Sequence, residues 1–123
     1  MSVRVVTVQK LSPATESAPM IVKRTGANRI KVIINDNRNV TEIDANIRFE
    51  DVVKFLDRLW PWERGRHFDI YDDVAVIREY IVRERALVYV MARKAGLKHD
   101  DAEFLASATR LHEVQLLAGT LLY

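Results

Sequence analysis

Apolar positions change rhythm partway along the chain. Up to about residue 45 they come as short β-branched runs, and from Phe49 onward they recur at helical spacing. Val3-Arg4-Val5-Val6-Thr7-Val8 reads as a strand, and Leu11 to Pro19, rich in Ser, Pro, Ala and Thr, as a loop. Met20 to Arg24 predicts a second strand. Thr25-Gly26-Ala27-Asn28 follows as a turn, because Gly and Asn tolerate positive φ. Arg29 to Asn35, with Ile30, Val32, Ile33 and Ile34, predicts a third strand. After a turn at Asp36–Asn39, Val40 to Ile43 returns as its hairpin partner.

Phe49, Val52, Val53, Leu56 and Trp60 then share one face of a helix that carries Glu50 and Asp51 in its first turn. Pro61 ends that helix, since the residue before a proline avoids the α region. Trp60 to His67 reads as a loop and Phe68-Asp69-Ile70-Tyr71 as a short strand. Asp72 or Asp73 is then expected to cap the longest helix, running to about Ala95. Val74, Ile77, Ile81, Val88, Met91 and Ala95 form one stripe of it, and Tyr80, Leu87 and Val90 a second. Gly96 closes this helix. Beyond it two readings stay open. Asp100-x-x-Glu103 resembles a capping box before another helix, or Glu103 to Ser107 is a strand followed by a helix from Thr109 to Ala118. The class that results is α+β, a small antiparallel sheet packed against two to four helices, in one domain over residues 1–123.

Composition sharpens this picture. With 49% apolar residues among 123, the chain can bury a core without staples. The absence of cysteine excludes disulfides and thiolate metal sites. No apolar run reaches the about 18 residues that span a bilayer. The start, Met1-Ser2-Val3-Arg4-Val5, lacks a secretory h-region, so a soluble, cytoplasmic protein is expected.

Reactive groups are sparse. His67, His99 and His112 are scattered, and the pairs Glu50-Asp51, Asp72-Asp73 and Asp100-Asp101 each open a proposed helix, where the dipole accounts for them. Ser107, His112 and Glu113 have the residue types of a hydrolytic triad but lie too close along one segment to converge as one. No phosphate loop or dinucleotide fingerprint occurs. The expectation is a non-enzyme with no metal and no cofactor.

Charge and aromatic placement point instead to binding. The net charge is +2, but residues 1–31 hold six basic groups against Glu16 alone, a net +5. The remaining 92 residues hold 13 basic and 16 acidic groups, a net −3. Such an asymmetry can attract phosphate, and it can equally be a solvated surface. Arg24, Arg29 and Lys31 flank one turn and are the first RNA-binding candidates. Reversing Arg24 and Arg29 is expected to weaken tRNA binding with little change in thermal stability. Trp60, Trp62, Arg64 and Arg66 interleave aromatics with guanidinium groups, which suits a protein interface or base stacking, while one tryptophan can simply cap the core. Trp62 and the C-terminal Leu121, Leu122 and Tyr123 are the partner-binding candidates, with self-association as one mode.

Phe68-Asp69-Ile70-Tyr71-Asp72, a long helix from Val74, and Glu103-Phe104-Leu105 leading into Arg110-Leu111-His112-Glu113 and Gly119 resemble the small kinase-binding subunit of the KEOPS complex, the PRPK-binding-protein family. The likeness covers the C-terminal half. Thr109-Arg110 stands where that family has Arg-Gln, and residues 25–66 are longer than its connection. The resemblance implies a non-catalytic subunit that binds the complex's protein kinase and helps recruit tRNA for threonylcarbamoyl-adenosine synthesis, and it adds Arg110 to the RNA-binding candidates. The alternative is a small nucleic-acid-associated structural or regulatory protein, such as an effector-complex small subunit or a homo-oligomer.

Overall fold

The computed structural model describes residues 18–36 and 39–108. Five strands form one antiparallel sheet: β1 (Met20–Gly26), β2 (Arg29–Asp36), β3 (Asn39–Ala45), β4 (Phe68–Tyr71) and β5 (Val74–Ile77), in the order β3-β2-β1-β5-β4. Three helices accompany them: α1 (Phe49–Leu59) between β3 and β4, then α2 (Tyr80–Lys94) and α3 (His99–Ala108) after β5. The class is α+β, as the early strand runs and the later helical spacing require. The proposed strand at Val3–Val8 and the segment Thr109–Ala118 lie outside the described residues.

Strand alternation sorts the sheet into two faces. Met20, Val22, Ile30, Val32, Ile34, Ala75 and Ile77 join the main core with Val52, Phe55 and Leu56 of α1 and Val82, Leu87 and Tyr89 of α2. Ile21, Ile33 and Val76 point to the opposite face and form a second buried cluster with Ala18. Ala102 and Ala106 of α3 also join the main core, where small side chains let α3 approach α2 closely.

One expectation is overturned. Val74–Ile77 is not the first turn of the long helix but the strand β5, and Asp72-Asp73 occupies the turn before it. Four apolar residues fit both periods, and pairing decides between them. β5 bonds to β1 on one side, with Ile21 opposite Val76, and to β4 on the other, with Asp69 opposite Val76. Ala75 and Ile77 fill the helix side while Val76 fills the other face, which a helix could not do. The helix therefore begins at Tyr80, with Glu79 at its N-cap making no side-chain capping bond. At His99–Ala108 the helical alternative is the observed one, so Glu103 to Ser107 is helical, with Asp100 inside the first turn rather than at its cap. Gly96, at φ 107°, sits just past α2 in the left-handed region, where a side chain would be strained.

Candidate functional site

The sequence candidates divide into groups held inside the fold and groups left at its surface. Arg24 is held. Its Nη2 donates to Glu50 of α1, its Nε donates to Asp73 in the β4–β5 turn at 3.0 Å, and its guanidinium lies 5.2 Å from the centre of the Phe49 ring. The Arg24 bond holds the Glu50 carboxyl below its usual range. Arg24 therefore ties three elements together, and its reversal would set a third acid beside Glu50 and Asp73. Lys31 forms an ion pair with Glu42 of the neighbouring strand at 3.4 Å. Arg29 is exposed at the far end of the same hairpin and makes no ion pair with a described residue. The three cations are thus close in sequence but not equivalent in space. Arg110, Leu121, Leu122 and Tyr123 lie outside the described residues.

The two tryptophans also separate. Trp60 packs against the core, edge-on to Phe55 at 6.3 Å between ring centres. Trp62, two residues on, is 87% exposed. The loop that carries it is firmly held. Glu63 O accepts from the N–H groups of Arg66 and His67, both at 3.0 Å, and Gly65 N–H donates to Phe68 O at 2.6 Å. Arg64 reaches back to both carboxylate oxygens of Asp57 on α1, and Arg78 Nη2 donates to Arg66 O at 3.1 Å. Gly65, at φ 93°, supplies the left-handed residue that closes the turn. An indole displayed on a pinned loop loses little conformational freedom on binding.

A buried polar chain crosses the helices and had no counterpart in the sequence reading. Asp51 of α1 accepts from Arg48 Nη2 at 3.0 Å and from Arg93 Nη1 at 3.1 Å. Burial alone would raise the Asp51 carboxyl, but the bonds from Arg93 and Arg48 outweigh it and hold its pKa below the ordinary value. Arg93 Nη1 also donates to the Tyr89 hydroxyl at 3.0 Å, and that hydroxyl lies 2.7 Å from His99 Nδ1. The Tyr89 hydroxyl donates to Nδ1 or accepts from it according to the His99 tautomer, and His99 Nε2 faces Glu103 at 3.6 Å. Glu103 also pairs with Arg58 of α1 at 3.3 Å. Burial, which Arg93 only partly offsets, pushes the Tyr89 phenol up to about 12. Phe55 stacks on Tyr89 at 4.5 Å. The chain runs from α1 to α2 to α3 and back to α1, so its first role is to fix the helices to one another. Only its 3.6-period spacing, Tyr89 to Arg93 and His99 to Glu103, is visible along the sequence.

Ser107 donates its hydroxyl proton to the carbonyls of its own helix, Glu103 O at 2.8 Å and Phe104 O at 3.2 Å, while His112 and Glu113 lie outside the described residues. Among the described residues no group of three His, Cys, Asp or Glu could hold a metal ion, and no helix is long and apolar enough to cross a membrane. Two open pockets lie among the described residues. One, of about 450 Å³, lies between α1 and α3, lined by Val53, Lys54, Asp57, Arg58, His99 and Glu103. The other, of about 290 Å³, lies where the ends of β2 and β3 meet the end of α2. No family model matches the chain, and no curated protein or solved structure matches it.

Proposed function

We propose that this chain is a non-catalytic binding subunit that engages a protein partner through the Trp62 loop. The observation that carries the reading is an indole, 87% exposed, on a loop whose backbone is bonded to α1, β4 and the start of α2's connection. Burying an indole on a partner releases a large apolar area, and tryptophan and arginine dominate interface hot spots. The resemblance of the C-terminal half to the KEOPS kinase-binding subunit supplies the specific form of the proposal. The partner is the protein kinase of a threonylcarbamoyl-adenosine complex, and tRNA is recruited alongside it.

Co-purification with that kinase tests the reading. Wild type is expected to retain the kinase and Trp62→Ala to lose it with unchanged melting. Failure of the wild type to retain the kinase removes the KEOPS assignment. Retention by Trp62→Ala removes the loop as the contact. If the wild type instead sediments as a homo-oligomer that Trp62→Ala dissociates, the same loop serves self-association and the kinase is not its partner.

A further inference from the structure

The pocket at the end of β2, β3 and α2 is lined by Arg29, Asp44, Ala45, Asn46, Arg93 and Lys94 and encloses about 290 Å³. Three cations and one carboxylate line this space, and the Asp51 carboxylate bonded to Arg93 leaves it a net +1. Cations in the last turn of a helix ordinarily compensate its dipole. Here the last carbonyls already have partners, since Met91 O, Ala92 O and Arg93 O accept from the N–H groups of Ala95, Leu97 and Gly96 at 2.9, 3.1 and 3.0 Å. Neither Arg29 nor Lys94 makes an ion pair with a described residue. Arg93 is anchored differently. Its bonds to Asp51 and Tyr89 both leave from Nη1, which fixes the guanidinium while it still lines the pocket. A held guanidinium flanked by two uncommitted cations and the Asn46 amide has the donor set of a phosphate site, where a planar fork binds two oxygens and lysine adds a point charge.

We infer that this corner is a phosphate-binding site, taking a backbone phosphate of single-stranded RNA or the phosphate of a small ester. This deepens the RNA half of the proposed function and rests on residues separate from Trp62, so each can fail alone. Asp44 selects within this class, because its carboxylate repels a second closely spaced anion and can accept a hydroxyl proton beside the phosphate.

The test measures binding of a fluorescent single-stranded RNA oligonucleotide to the full chain at low salt, with inorganic phosphate as competitor. Arg29→Glu/Lys94→Glu is compared with Lys54→Glu/Lys98→Glu, which makes the same change in net charge at exposed positions outside this corner. The corner variant is expected to lose affinity by about a hundredfold, roughly tenfold per reversed cation, and the control by much less. Both should keep the wild-type melting temperature. Chemical-shift changes at Arg93 and Asn46 on adding inorganic phosphate or a nucleoside monophosphate, without RNA affinity, assign the site to a small ester. Equal losses in the two variants mean that only net charge matters and overturn the site. So does the absence of binding by every phosphate-bearing probe.

Discussion

Arg24 and Arg29 stand five positions apart on one hairpin and do different work. Arg24 is clamped between Glu50 and Asp73 over the Phe49 ring, whereas Arg29 opens onto the corner pocket with Arg93 and Lys94. Their acidic neighbours separate them, because Arg24 reaches Glu50 and Asp73 whereas Arg29, at the turn end of the hairpin, makes no ion pair with a described residue. A basic stretch is therefore not a binding surface until its acids are counted in space. The cations free to meet a ligand are those the fold leaves without a carboxylate.

The largest effect is expected where pairing is deepest. Asp51→Ala leaves Arg93 without its carboxylate beneath Tyr89, and removing one partner of a buried pair costs about 3 kcal/mol. Thermal or urea unfolding measures it, and a loss under 1 kcal/mol would mean the polar chain does not hold the helices. Next comes the hairpin itself. Arg24→Glu should lower the melting temperature by several degrees, by placing a third acid beside Glu50 and Asp73, while Arg29→Glu should leave it unchanged. Equal melting of the two variants would erase the distinction drawn between them.

Acid should act through the same chain. The Asp51 pKa is depressed in the folded state, so the stability it contributes is present above the unfolded value of about 3.9 and is lost as pH falls through the lower folded value. Unfolding free energy measured from pH 6 down to pH 2 should decline in that window for wild type. Asp51→Asn should start lower and decline less steeply. At the alkaline end the raised Tyr89 pKa keeps its phenol neutral in the fold. Its contribution is intact below about pH 10 and fades toward pH 12. An ultraviolet titration of wild type against Tyr89→Phe should place the Tyr89 ionisation near pH 12.

Much of the architecture was legible because local pattern and tertiary need agree. β2 carries Ile30, Val32, Ile33 and Ile34, which suit a strand buried on both faces, and α1 keeps Phe49, Val52 and Leu56 on one buried stripe. Val74–Ile77 was not legible, since its four apolar residues satisfy either period and only the neighbouring β1 and β4 select the strand. The tryptophans were legible in part. Trp60 continues the apolar stripe of α1 and Trp62 does not, which matches their burial. The polar chain and the corner pocket were hidden because their members meet across long separations. Asp51 and Arg93 lie 42 positions apart, and Arg29 meets Lys94 only through the way α2 ends against the sheet.

The most direct test of the central distinction is the salt dependence of RNA affinity for Arg24→Gln and Arg29→Gln, measured at a temperature where both are folded. Each phosphate contact contributes roughly one unit to the slope of log affinity against log salt. The account predicts that Arg29→Gln lowers the slope by about one and Arg24→Gln leaves it at the wild-type value. A lower slope for Arg24→Gln with an unchanged slope for Arg29→Gln would contradict it.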